Sequence, residues 1–271
     1  MSQAEQPLLE VRGLCKTRVQ GQWWQRQFEV GALDHVDLVV DSGRTVAVVG
    51  ESGAGKTTLA LCVVGLEEPD AGDIRFDGKS VLGIDRKERL RTGRDIQLIF
   101  QDSAGALSPR MSAVEIIEEP LLIRERGNRK ERCERALETM HQVGLSPASK
   151  NRRPHELSGG QRQRLSIARA LVTEPRLLIL DEALAGLDLS IQGQIMNLLM
   201  DLQIARGLSY LYISHNLELV ARIADEVVIL HEGRVIERVD PAALMADSRL
   251  GATALGRSAT GDLGLGAHAG V

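Results

Sequence analysis

The chain has 271 residues, with 33 Lys and Arg against 37 Asp and Glu, a formal net charge of −4. Hydrophobic residues at 43% and charged residues at 26% describe a globular protein with ample core-forming side chains, and the length allows one large domain or two modest ones. That balance gives no global drive toward nucleic acid or an anionic membrane, and 3% aromatics argue against base stacking on single strands.

Met1 to Glu10 lacks a basic patch followed by an apolar run, so no signal peptide is expected. Nowhere do about 18 apolar residues run together, so no transmembrane helix is expected. Cys15, Cys62 and Cys133 are far apart in sequence. They read as buried small apolar residues in a reducing compartment, without metal-ligand spacing or a disulfide framework.

In chain order, Leu8 to Asp41 is strand-like, with Val36, Leu38 and Val40 alternating, and predicts an antiparallel edge sheet. Thr45-Val46-Ala47-Val48-Val49 predicts a buried strand, because it is β-branched and lacks polar alternation. Directly after it, Gly50-Glu51-Ser52-Gly53-Ala54-Gly55-Lys56-Thr57 fits G-x-x-x-x-G-K-[ST] and opens a predicted helix, Thr58 to Val64. Glycines let successive N–H groups turn inward onto phosphate oxygens, and the helix N-terminus adds partial positive charge. Lys56 supplies a mobile charge for the β- and γ-phosphates, and the Thr57 hydroxyl is a hard ligand suited to Mg²⁺.

Ile96 to Phe100 predicts a second buried strand. Asp102 to Glu156 has no convincing strand and predicts a helical insertion, with Cys133, Ala136, Leu137 and Met140 on one face. Leu157-Ser158-Gly159-Gly160-Gln161 then precedes an amphipathic helix striped by Leu165, Ala168, Leu171 and Val172. Ser158 can cap that helix while the glycines expose backbone N–H groups, a second phosphate-binding surface. Leu177 to Leu180 predicts a strand that delivers Asp181 and Glu182 at its C-terminal end, where open α/β sheets bind ligands. Asp181 can hold Mg²⁺, and Glu182 can polarise water attacking a γ-phosphate. A helix through Ile191, Ile195, Leu198, Leu199 and Leu202 follows. Strand Tyr210 to Ile213, a helix through Leu217, Val220, Ala221 and Ala224, and strand Val227 to Leu230 complete the pattern. Alternation of strands and helices predicts an α/β fold with a mostly parallel sheet. Gly251 to Val271, rich in Gly and Ala, predicts a disordered tail.

The ordered set of phosphate loop, Leu-Ser-Gly-Gly-Gln and Leu-Leu-Ile-Leu-Asp-Glu resembles the ATP-binding subunit of ABC transporters over about residues 8 to 240. The resemblance implies a P-loop NTPase (RecA-like) core, an N-terminal antiparallel β subdomain and a helical insertion. It places one ATP-binding domain at 8–250 with the insertion at about 102–157. It also implies that Gln101 contacts Mg²⁺ and the attacking water, that Asp188 belongs to the D-loop, and that His215 hydrogen-bonds the γ-phosphate. His35, His141, His155, His231 and His268 have no such support. The family usually stacks an aromatic ring on adenine after the first strand. Here Arg18 stands there, and its guanidinium plane can stack instead; Trp23, Trp24 or Phe28 are alternatives.

The resemblance further implies two subunits packed head to tail, each phosphate loop facing the other's Ser158–Gln161 segment across ATP. The partners are a second ATP-binding subunit, two transmembrane permeases and, through them, an external substrate-binding protein. Arg110 to Ile123 is the expected docking surface, and the location is the cytoplasmic face of the membrane. Phe100-Gln101-Asp102-Ser103 and Asn151 to Glu156 resemble the oligopeptide and nickel importer ATPases. Ala183 and Gly65-Leu66-Glu67 lean toward nickel or a metal chelate. A peptide importer, or a soluble accessory ATPase such as one in phosphonate breakdown, is the alternative.

Overall fold

Two sheets organise the residues described by the computed structural model, which are 6–20, 28–100, 105–124 and 126–246. The first has the strands β1 (Leu9–Gln20), β2 (Phe28–Val40), β4 (Ala71–Phe76) and β5 (Lys79–Ser80), all antiparallel, in the order β2-β1-β4-β5. The second has β3 (Thr45–Val49), β6 (Ile96–Ile99), β7 (Leu177–Asp181), β8 (Ser209–Ile213), β9 (Glu226–His231) and β10 (Arg234–Val239). Its order is β10-β9-β3-β8-β7-β6, parallel throughout except for the β9–β10 hairpin. The mostly parallel α/β core and the antiparallel β subdomain are therefore as the sequence predicts.

The continuous apolar runs are explained by two cores, one on each face of the parallel sheet. Ala47 and Val49 of β3, Leu178 and Leu180 of β7, Tyr210 and Tyr212 of β8 pack toward the helices. Their neighbours Val46, Val48, Leu177, Ile179, Leu211 and Ile213 pack toward β1, β2 and helix α1 (Lys56–Val63). Strands buried on both faces have no polar side to alternate. Each fully buried large side chain contributes about 1.5–3 kcal/mol. Tyr210 satisfies its buried hydroxyl by donating to the Leu199 carbonyl at 2.7 Å, and burial pushes its pKa up.

Between β6 and the helix that follows Ser158, the described residues hold two α-helices and short 3-10 turns but no strand. Helix α3 (Ala113–Ile123) starts in a capping box, Ser112 with Glu115, and α4 (Arg129–Gln142) in another, Asn128 with Glu131. Both pack on α5 (Gly159–Leu171). Arg169 of α5 donates to Glu119 of α3 at 2.8 and 3.1 Å, and Arg164 to the Val143 carbonyl at 2.6 Å. The remaining helices are α6 (Leu189–Arg206), α7 (Leu217–Ile223) and α8 (Pro241–Ala246).

Among the strands and α-helices described, five have no counterpart in the sequence reading: β4, β5, β10, α8 and helix α2 (Arg86–Asp95). Helix α2 buries no residue, and β10 is mostly exposed, so neither carries an apolar period. The expectation of uniformly buried cysteines fails: Cys62 is buried, but Cys15 and Cys133 are half-exposed. Gln101, Asp102, Ser103, Trp23, Trp24 and the tail 251–271 lie outside the described residues, as does the Phe28 side chain.

Candidate active site

The phosphate loop leaves the C-terminal end of β3 and feeds α1. Gly55, the residue before the helix, has φ +104°, and a methyl group there would run into the Ala32 carbonyl oxygen. Only glycine meets both demands. The loop is further tied to the β9–β10 turn and through it to β2: Gly233 donates to the Ala54 carbonyl at 3.0 Å, and the Asp34 N–H to the Gly233 carbonyl at 2.8 Å. Glu51 lies 3.6 Å from His231. Thr58 and Ala54 are buried behind the loop.

Lys56 is 7% exposed, and its ammonium donates to the carbonyls of Gly50 at 2.8 Å and Glu51 at 2.7 Å. Burial pulls its pKa down, opposed by Glu182, Asp181 and Glu51. Opposite it, Asp181 ends β7 and is 4% exposed. Burial, then the Glu182 charge, raises the Asp181 pKa, while the Thr57 hydroxyl donated to it and Lys56 act the other way. Asp181 Oδ1 is buried and has no hydrogen-bond partner among the described residues. A buried carboxylate oxygen in want of a partner, next to a threonine hydroxyl, is the hard-oxygen pair that Mg²⁺ takes, so the residues fit that ion.

Glu182 follows directly at φ +48°, a left-handed backbone that a non-glycine residue adopts at a cost of about 1–3 kcal/mol. Its N–H donates to the Ile213 carbonyl at 3.0 Å, which pins the turn to β8. His215 follows the end of β8, and its Nδ1 lies 3.0 Å from Glu182 Oε2. Neighbouring parallel strands thus deliver the two side chains together. Sequence order suggested both residues, but not their contact or the strained backbone.

Lys56, Thr57, Asp181, Glu182 and His215 line one cavity of about 660 Å³. Arg18 lines it too, at the end where β1 meets β2, with Gly31 and Ala32 beside it. The Arg18 guanidinium is paired with Glu67 in the turn after α1. Asp70 holds the preceding residues: it accepts from the Thr17 N–H at 2.6 Å, the Thr17 hydroxyl at 2.7 Å and Lys16 at 3.0 Å. These bonds, the Thr17 hydroxyl first, lower the Asp70 pKa to about 2.

Ser158 to Gln161 do not line this cavity. Ser158 is exposed and caps α5, accepting from the Gln161 N–H at 3.3 Å while Gln161 Oε1 accepts from the Ser158 N–H at 3.0 Å. The glycines have a second use that the sequence does not reveal. A methyl at Gly160 would come within 2.9 Å of Ile191 Cγ2, and one at Gly159 within 3.6 Å of Leu187. The start of α5 therefore packs against the start of α6. Asp188 caps α6, accepting from the Ile191 N–H at 2.9 Å. Gln101, the remaining expected site residue, lies outside the described residues.

The class follows from this geometry and from comparison with known proteins. Residues 33–185 match the ABC transporter family, and the chain belongs to that family as an ATP-binding subunit. Its activity is ATP hydrolysis in a transporter, and the family binds ATP, typically with Mg²⁺. Among named relatives, a putative peptide import ATP-binding protein of Brucella ovis is 47% identical over 233 residues. That match covers 86% of this chain and 72% of the relative. The dipeptide transport ATP-binding protein of Escherichia coli K12 is 42% identical over 235 residues, covering 86% and 70%. Among solved structures, an ATP-binding cassette dimer in a post-hydrolysis state with ADP and Pi is 30% identical. Its TM-score is 0.76, over 86% of this chain and 98% of that one. A subunit of the cbiONQ transporter complex of Clostridium perfringens is 29% identical with a TM-score of 0.77, covering 90% and 92%. No described helix is long and apolar enough to cross a membrane.

Proposed function

We propose that this chain hydrolyses ATP to drive peptide import, as one of two ATP-binding subunits beneath a pair of membrane-spanning permeases fed by an external substrate-binding protein. The observation that carries the assembly is that Lys56, Asp181, Glu182 and His215 share a cavity from which Ser158 to Gln161 are absent. A second subunit, identical or homologous, supplies the missing signature segment. The dimeric state of the solved cassette with ADP and Pi supports this arrangement.

Gly50 to Thr58 wrap the phosphates, and Lys56 exchanges its loop carbonyls for phosphate oxygens. Thr57, Asp181 and Gln101 would hold Mg²⁺, which would supply neutralisation of phosphate charge. Glu182 takes the proton of the attacking water, and His215 orients Glu182 and reaches the γ-phosphate. Arg18 stacks on the base. The partner-facing surface holds Ser158–Gln161 and Asp188, with the α5 N-terminus aimed at the other subunit's γ-phosphate.

Peptide replaces nickel as the cargo for two reasons. The named relatives above are peptide and dipeptide import proteins. Of the residues that leaned toward nickel, Ala183 is buried in the core and Gly65 follows α1 at φ +71°, so these two have structural uses. Residues 8–250 act as one ATP-binding domain with the insertion at 102–157. Its permease surface is narrower than Arg110 to Ile123. Ala113, Ile116, Ile117 and Leu121 are buried, while Leu122 (58% exposed) and Ile123 (65%) are the large apolar residues exposed there, and Ile123 shares a groove with Phe100 and Leu90. Through the permeases the chain sits at the inner face of the membrane.

The test is uptake of labelled dipeptide and of Ni²⁺ in a strain lacking the gene, complemented with the wild-type chain or Glu182→Gln. Dipeptide uptake restored by the wild type alone supports the reading. Nickel uptake restored without dipeptide uptake overturns it.

A further inference from the structure

The β1–β2 ladder pairs Leu14 with Val36 and then Lys16 with Leu33. One residue of β1, Cys15, is thus opposed by two of β2, Asp34 and His35. This is a β-bulge, a device that re-aims side chains. His35 takes the strained position at φ +51°. The result is a thiol, a carboxylate and an imidazole whose ligand atoms all lie within 4.8 Å of one another.

We propose that Cys15, Asp34 and His35 form a binding site for a borderline divalent transition metal of the zinc class. Sulfur, nitrogen and oxygen donors of this kind suit Zn²⁺ and not the oxygen-preferring Mg²⁺ of the nucleotide site. Neighbouring ligands of a tetrahedral zinc stand about 3.5 Å apart. The His35 side chain is 80% exposed and free to swing the remaining distance.

The surroundings fit ligation. His35 Nδ1 lies 2.6 Å from Asp34 Oδ1, so one proton bridges the two donors that the metal would bridge. Asp34 Oδ2 accepts from Arg234 Nε at 2.6 Å, which fixes the carboxylate plane. The His35 N–H donates to Cys15 Sγ at 3.4 Å, a hydrogen bond that stabilises a thiolate. The Cys15 thiol in turn donates to the Gly13 carbonyl at 3.6 Å, and metal binding would release that proton to solvent. Outer partners of this kind hold ligands in place at metal sites. The site sits on the same two strands that carry Arg18, Gly31 and Ala32 to the nucleotide cavity.

The experiment is a Co²⁺ titration of the full chain in reducing, nucleotide-free buffer, read by absorption. A saturable 1:1 near-ultraviolet thiolate-to-cobalt band, displaced by Zn²⁺, is expected in the wild type and in Cys133→Ser. Cys15→Ser loses the band. His35→Gly relieves the left-handed backbone, so it folds, yet it weakens Co²⁺ binding by at least about tenfold. A band that is absent, that survives Cys15→Ser, or whose affinity is unchanged in His35→Gly overturns the proposal.

Discussion

Glu182 Oε2 and His215 Nδ1 lie 3.0 Å apart, one from the end of β7 and the other from the end of β8. The parallel register, Asp181 opposite Ile213, sets that distance, and the Glu182 N–H bonded to the Ile213 carbonyl locks it. A proton acceptor positioned in this way is lost when its charge is removed. Glu182→Gln is expected to bind ATP with wild-type affinity and to lose turnover by at least about 100-fold. Steady-state phosphate release, beside a fluorescent-nucleotide titration, checks both halves; turnover within a few-fold of wild type would remove Glu182 from its role.

Lys56 closes the phosphate loop on itself through the Gly50 and Glu51 carbonyls. Its charge is the mobile part of the cradle, and a hydrogen bond to a charged group contributes about 1.5–3 kcal/mol. Lys56→Ala is expected to weaken ATP at least tenfold, with cooperative thermal unfolding retained. Equal affinity in equilibrium titration contradicts the assignment.

Asp181 gives a pH prediction with a definite sign. Its pKa is higher in the folded chain than in the unfolded one, burial being the main cause. The folded state therefore favours the protonated acid, and holding the charge costs stability as pH rises through the folded pKa. Asp181→Asn should melt higher than wild type at pH 7 without nucleotide, by about 2–4 °C for each kcal/mol relieved. The gap should close as pH falls below the unfolded value near 3.8. A gap that widens toward acid contradicts this sign. The same variant should lose Mg²⁺-dependent nucleotide affinity, because stability and ion binding use the same buried oxygen.

Gly160 touches Ile191 across the α5–α6 junction. Gly160→Ala is expected to cost about 1–3 kcal/mol through overpacking, and Ile191→Ala in the same chain to recover part of that cost. Chemical denaturation of the two single variants and the pair reads this coupling. Strict additivity would show that the glycine is free of α6.

Much of the core was legible because its strands are buried on both faces. Five apolar runs, beginning with Thr45 to Val49, correspond to β3, β6, β7, β8 and β9 with ends within a residue or so. The phosphate loop was legible because its chemistry is local, one glycine-rich turn before one helix. Helix α2 was not, since Arg86 to Asp95 buries nothing and leaves no stripe. Long-range contacts were equally hidden. That Gly160 answers to Ile191, or that Cys15 meets Asp34 and His35, depends on packing between elements and on a one-residue slip in register. Composition and spacing record neither.

The central claim is that the nucleotide gripped by one chain does not meet that chain's own Ser158 to Gln161. Hydrogen exchange on dilute, monomeric Glu182→Gln with saturating ATP and Mg²⁺ tests this most directly. Protection is expected at Gly50 to Thr58 and none at Ser158 to Gln161, which become protected only when a second ATP-binding subunit is added. Protection of Ser158 to Gln161 in the monomer would contradict the account.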